Sequence, residues 1–128
     1  MTEKEANQYS PLALAFMGDS VYEQLVRGAI IKNANMPAHK LHELTIEKVC
    51  AEFQAKAVKK LIEEEKLTEE EQDIFRRGRN AGGITAPKHS TVAEYRAATG
   101  LECLFGYLYL CDKQDRINEL FELIMKEQ

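Results

Sequence analysis

A chain of 128 residues, 45% hydrophobic and 30% charged, has the make-up of a folded globular domain long enough to bury one core. Its net charge of −4 excludes a protein that holds nucleic acid by bulk positive charge, although a local cluster can still do so. The opening "MTEKEANQYS" lacks the basic-then-apolar pattern of a secretory leader, and no apolar run is long enough to span a bilayer. A cytoplasmic protein with no membrane partner is therefore expected. The three cysteines, Cys50, Cys103 and Cys111, are odd in number and lack CxxC spacing, so they are expected as buried, reduced thiols.

The periodicity predicts helices throughout, with no segment that alternates for long enough to make a strand. It predicts a single all-α domain over residues 1–128 with no internal repeat. Ser10 and Pro11 are an N-cap and a first helical position, opening a helix that runs to about Lys32 before "NANMP" breaks it. From Ala38 to about Lys66 the spacing is again helical, with a bend expected near Thr45. "TEEE" at 68–71 is a capping box that starts a short helix ending near Arg79. "GRNAGGITAPKHS", 78–90, is the clearest loop. "TVAE" at 91–94 is a second capping box, opening a helix that continues to about Leu110 with a break expected at Gly100. A turn at 112–115 precedes the last helix, Arg116 to Lys126.

The first long helix carries an anomaly. At about 100° per residue, the neighbours of Asp19 are Leu12, Ala15, Phe16, Tyr22, Val26 and Ile30, with Glu23 beside them. Polar residues are confined to a strip of Ser20, Gln24 and Arg27, so this helix reads as buried nearly all round. "AATGLECLFGYLYL", 97–110, repeats the oddity, surrounding Glu102 with Tyr95, Ala98, Thr99, Phe105, Gly106 and Tyr109. Gly18 and Gly106 each lie close to their acid, and helix interiors avoid glycine unless something approaches closely. A close crossing of the two helices is therefore expected. An unpaired buried carboxylate is costly, so two of them point to convergence on a shared cation. Oxygen ligands of this kind suit Mg²⁺. An acid at a helix end, or one paired with an arginine, is the alternative that the pattern leaves open.

"FMGDS" followed by "VYE" resembles the signature of the ribonuclease III catalytic domain, and "LECLFGYLYL" resembles that family's second motif, a Glu followed four residues later by Gly and an apolar run. "LAFMGDSVYE" and "RGRNA" at 77–81 are most similar to its short branch, Mini-ribonuclease III, which consists of the catalytic domain alone. The resemblance covers essentially the whole chain. It implies an all-helical homodimer with a ribonuclease III-like fold. The implied activity is Mg²⁺-dependent cleavage of double-stranded RNA (Mn²⁺ substituting), leaving 5′-phosphate and 3′-hydroxyl ends. The implied task is trimming the stem of the 23S ribosomal RNA precursor. Carried over by motif, Asp19 and Glu102 are the metal-binding catalytic acids. Acids that the broader family holds elsewhere are replaced here by Leu12, Ala15 and Thr99, which thins the metal shell. A homodimer also suits a chain with one acidic pair and a substrate with two strands.

Double-stranded RNA is bound mainly through its shape, 2′-hydroxyls and phosphates. Arg76, Arg77 and Arg79 before the glycine-rich loop, with Lys88, His89 and Arg96 after it, form a local basic cluster, and Asn80, Ser90 and Thr91 can add backbone contacts. Arginines that merely favour a helix C-terminus are the other reading. The runs "EEEK" and "TEEEQ" read as solvated helix faces, and His39 and His42 as solvated histidines. A catalytically weak or inactive RNA-binding relative and a helical protein-interaction module are the competing functions.

Overall fold

A computed structural model describes residues 1–82 and 90–126. Among the described residues seven helices follow one another: α1 (Glu3–Ala6), α2 (Pro11–Asn33), α3 (Ala38–Val49), α4 (Ala51–Glu63), α5 (Glu69–Arg79), α6 (Val92–Leu110) and α7 (Gln114–Lys126). No strand occurs among the described residues. The caps are those the sequence announces. Ser10 Oγ accepts from the Ala13 N–H, and Thr68 and Thr91 form reciprocal capping boxes with Glu71 and Glu94. Thr2 and Glu5 form a third box, which starts α1. The same Thr-x-x-Glu spacing stands in "TEKE", a local signal for this short helix.

Helix α6 is the centre of the fold. α2, α4, α5 and α7 pack around it. Its residues Leu101, Leu104, Phe105, Tyr107 and Leu108 join Leu14, Tyr22, Val26, Ile117 and Leu120 in one core. Two glycine pairs set how closely its neighbours approach. A Cβ on Gly18 would stand 1.6 Å from the Glu102 carbonyl oxygen, and one on Gly106 would stand 1.9 Å from that of Leu14. On the α5 side, a Cβ on Gly78 would lie 2.9 Å from the Gly100 Cα, and one on Gly100 would lie 2.7 Å from the Phe75 ring. The expected break at Gly100 is therefore absent: the glycine serves packing, and α6 runs straight through it.

Three further expectations are corrected. The 38–66 segment is two helices, divided not near Thr45 but at Cys50, whose ψ of 154° is extended. The hydroxyl of Tyr22 donates to the Lys48 carbonyl at 2.6 Å and Gln54 Nε2 donates to that of Val49 at 2.9 Å, so the carbonyls exposed by the break find partners. Glu71 in "TEEEQ" is not solvated. It is buried and receives Arg116 on both carboxylate oxygens at 2.7 and 2.8 Å, which ties α5 to α7. Burial pushes its carboxyl up, but Arg116 and Thr68 more than offset this and hold it below the usual range. Finally, α2 is not buried all round. Leu14, Ala15, Gly18, Val21, Tyr22 and Val26 face the core, whereas Leu12, Phe16 and Ile31 are exposed.

Candidate active site

The glycine crossing brings α2 and α6 together where each carries its acid. Gly18 sits on the backbone of Glu102, and Asp19 is the next residue along α2. Asp19 is exposed, contrary to its reading as a buried residue, while Glu102 is largely covered. The Asp19 carboxylate acts directly on the Glu102 carboxyl. Burial, and then the Asp19 carboxylate beside it, push the Glu102 carboxyl up to about 8, and Gln54 partly opposes this. The pair thus opens from a covered floor, Glu102, to a solvent-facing rim, Asp19.

Two side chains that the sequence reading did not single out support this floor. Gln54 of α4 is 1% exposed, and its Nε2 donates to Glu102 Oε2 at 3.3 Å as well as to Val49. Its signal in the sequence was a polar residue set into the apolar stripe of Ala57, Val58 and Leu61. Tyr22, one turn beyond Asp19, packs its ring 5.7 Å from that of Phe105, and its hydroxyl holds the end of α3. Burial, followed by Cys50 and Glu102 nearby, raises the Tyr22 phenol, so it serves as a neutral anchor.

Two carboxylates on closely crossing helices repel each other, and a hard divalent cation relieves that repulsion with oxygen ligands it favours. Asp19 and Glu102 therefore fit such an ion. Among the described residues no group of three or more His, Cys, Asp or Glu is placed to hold one. Ala15 and Thr99 are both buried, and the Thr99 hydroxyl donates to the Tyr95 carbonyl.

The basic cluster divides. Arg76, Arg79, Asn80 and Thr91 are exposed, and Arg96 is half-buried. Arg76 pairs with exposed Asp73 one turn earlier, and Arg79 lies 5.6 Å from the Phe75 ring centroid. Arg77 instead donates to Asn7 and to the Tyr9 carbonyl, at 3.1 to 3.4 Å, fastening the N-terminal segment to α5. Lys88 and His89 lie outside the described residues. Among the thiols, Cys103 is buried as expected, whereas Cys50 and Cys111 are half-buried; all three are free. His39 and His42 are exposed.

Residues 12–113 match the Ribonuclease III domain family. The chain is 44% identical over 123 residues to the Mini-ribonuclease 3 of Thermoanaerobacter sp., covering 96% of this chain and 85% of the relative. It is 46% identical over 109 residues to that of Synechococcus sp., covering 85% and 76%. The crystal structure of protein FN1578 from Fusobacterium nucleatum superposes with a TM-score of 0.84 at 33% identity, over 94% of both chains.

Proposed function

The chain belongs to the ribonuclease III family and is an endoribonuclease of its double-strand-cleaving type, and on that premise we propose that Asp19 and Glu102 are its catalytic acids and hold Mg²⁺. The meeting of these two carboxyls at the Gly18–Gly106 crossing carries the reading. A divalent ion in such a centre activates water and stabilises charge on a phosphate. Glu102, fixed by Gln54 and the α6 backbone, holds its place in the floor, and exposed Asp19 meets the phosphodiester side. Hydrolysis leaves 5′-phosphate and 3′-hydroxyl ends. Arg76, Arg79, Asn80, Thr91 and Arg96, with Lys88 and His89, provide contacts to the sugar-phosphate backbone of the duplex.

The proposed substrate is the paired stem of the 23S ribosomal RNA precursor, met in the cytoplasm; among the described residues no helix is long and apolar enough to cross a membrane. The proposed active form is a homodimer joined along α2, where Phe16 is 82% exposed and Leu12 and Ile31 are also uncovered. One acidic pair per chain then serves each strand of the duplex. The test is cleavage of a long RNA duplex with and without Mg²⁺ by the wild type and by Asp19→Asn. Loss of several kcal/mol of charge stabilisation predicts a rate at least about a thousandfold lower for the variant, with duplex binding kept. Cleavage by Asp19→Asn at the wild-type rate overturns the assignment.

A further inference from the structure

Gln54 is an expensive residue for its position. Its carboxamide is 1% exposed, and Oε1 is buried with no hydrogen-bond partner among the described residues. The amide cannot be turned to correct this. Nε2 faces two acceptors, the Val49 carbonyl and Glu102 Oε2, and turning it would set an oxygen against both. Leaving a buried acceptor unsatisfied is destabilising, and an apolar side chain of similar size would not incur that cost. The neighbours on the same face of α4, Ala57, Val58 and Leu61, are all apolar.

Something other than packing therefore calls for an amide here. The Val49 contact alone does not explain it, because a carbonyl at a helix end can be met by water or by a shift in the last turn. The contact unique to Gln54 is the one to Glu102. Glu102 projects from α6, Asp19 from α2 and Gln54 from α4, so three helices converge on one carboxylate.

We propose that Gln54 is a positioning residue for the metal site: its Nε2 fixes the Glu102 carboxylate so that one oxygen is held by the amide and the other is left to meet Asp19 and the cation. This rests on the two-acid reading above. A carboxylate ligand free to rotate would lose the shared orientation with Asp19, and partners that orient metal ligands typically contribute 10–100-fold in metal affinity or activity. Where only two acids hold the ion, the fixed orientation of each carries more of the affinity.

The test is Mn²⁺ binding to the RNA-free protein at pH 8, followed by electron paramagnetic resonance, for the wild type, Gln54→Leu and Gln54→Met, with thermal unfolding measured in metal-free buffer. Both variants are expected to fold and to bind Mn²⁺ about 10–100-fold more weakly. The Mg²⁺ concentration for half-maximal cleavage should rise by a similar factor, with the rate at saturating metal reduced much less. If either variant stays folded and binds Mn²⁺ as the wild type does, the proposal is overturned and Gln54 is only a cap for the α3–α4 junction. Asp19→Asn and Glu102→Gln, measured alongside, separate the two readings. If they too leave Mn²⁺ binding intact, the two-acid site itself falls.

Discussion

Gly18 lies so close to Glu102 that a methyl group in place of its hydrogen would fall 1.6 Å from the Glu102 carbonyl oxygen. This contact sets the distance between α2 and α6, and with it the meeting of Asp19 and Glu102. The opposing surface is backbone, which cannot swing aside as a flexible side chain can. Overpacking of a well-packed core typically costs about 1–3 kcal/mol, and backbone against backbone belongs at or above the top of that range. Gly18→Ala and Gly106→Ala are each expected to lower the denaturation midpoint sharply and to abolish cleavage. Urea titrations that match the wild type would show that the crossing is looser than described.

The position of Glu102 has a measurable dependence on pH. Burial and the nearby Asp19 carboxylate push its carboxyl up to about 8, so the folded protein binds this proton more tightly than the unfolded chain does. The resulting stability is fully present below the ordinary carboxylate range and is lost as pH rises through about 8. A cation requires the charged form, so binding below that pH expels the proton. Apparent Mn²⁺ affinity should rise by up to about tenfold per pH unit towards 8 and then level off. In metal-free buffer Glu102→Gln should lose the decline in stability over the same window. An Mn²⁺ affinity that is flat between pH 6 and 8 would sink this account.

Two neighbouring arginines should behave differently. Arg79 is exposed at the end of α5, whereas Arg77 is spent on Asn7 and Tyr9. Arg79→Ala should weaken duplex binding and reduce the slope of log affinity against log salt by about one, with only a small fall in melting temperature from the lost Phe75 contact. Arg77→Ala should lower the melting temperature and leave the salt slope alone. Filter binding at four or five salt concentrations, paired with thermal melts, decides it. Equal salt slopes for Arg79→Ala and the wild type would remove Arg79 from the RNA surface.

What the sequence reveals here depends on whether a feature is local. Caps at Ser10, Thr68 and Thr91 need only residues three apart, and all three are as expected. Asp19 and Glu102 stand out because an acid among apolar helical neighbours is unusual, and their glycines because helix interiors shun them. Yet the helix wheel counts apolar neighbours without telling a core from an uncovered face. Of the apolar neighbours that make Asp19 read as buried, Ala15, Tyr22 and Val26 are in the core, but Leu12 and Phe16 are exposed. The break at Cys50 has no glycine or proline to announce it. Gln54 and the tether at Arg77 depend on which helices meet, which no one-dimensional pattern contains.

Phe16 itself gives the remaining prediction. It is 82% exposed one turn before Asp19, and exposed Leu12 stands one turn earlier on the same face of α2. Burying a phenylalanine is worth about 1.5–3 kcal/mol, and a twofold dimer buries the same residue twice. If α2 meets α2 of a second copy, Phe16→Ala forfeits about 3–6 kcal/mol and raises the dissociation constant by at least about a hundredfold. The wild type should then sediment as a dimer at micromolar concentration and Phe16→Ala as a monomer. Phe16 does not belong to the buried core of its own chain, so the variant should keep its helical content. A wild type that sediments as a monomer and still cleaves duplex RNA would refute the dimer. A variant that remains dimeric would move the interface off α2.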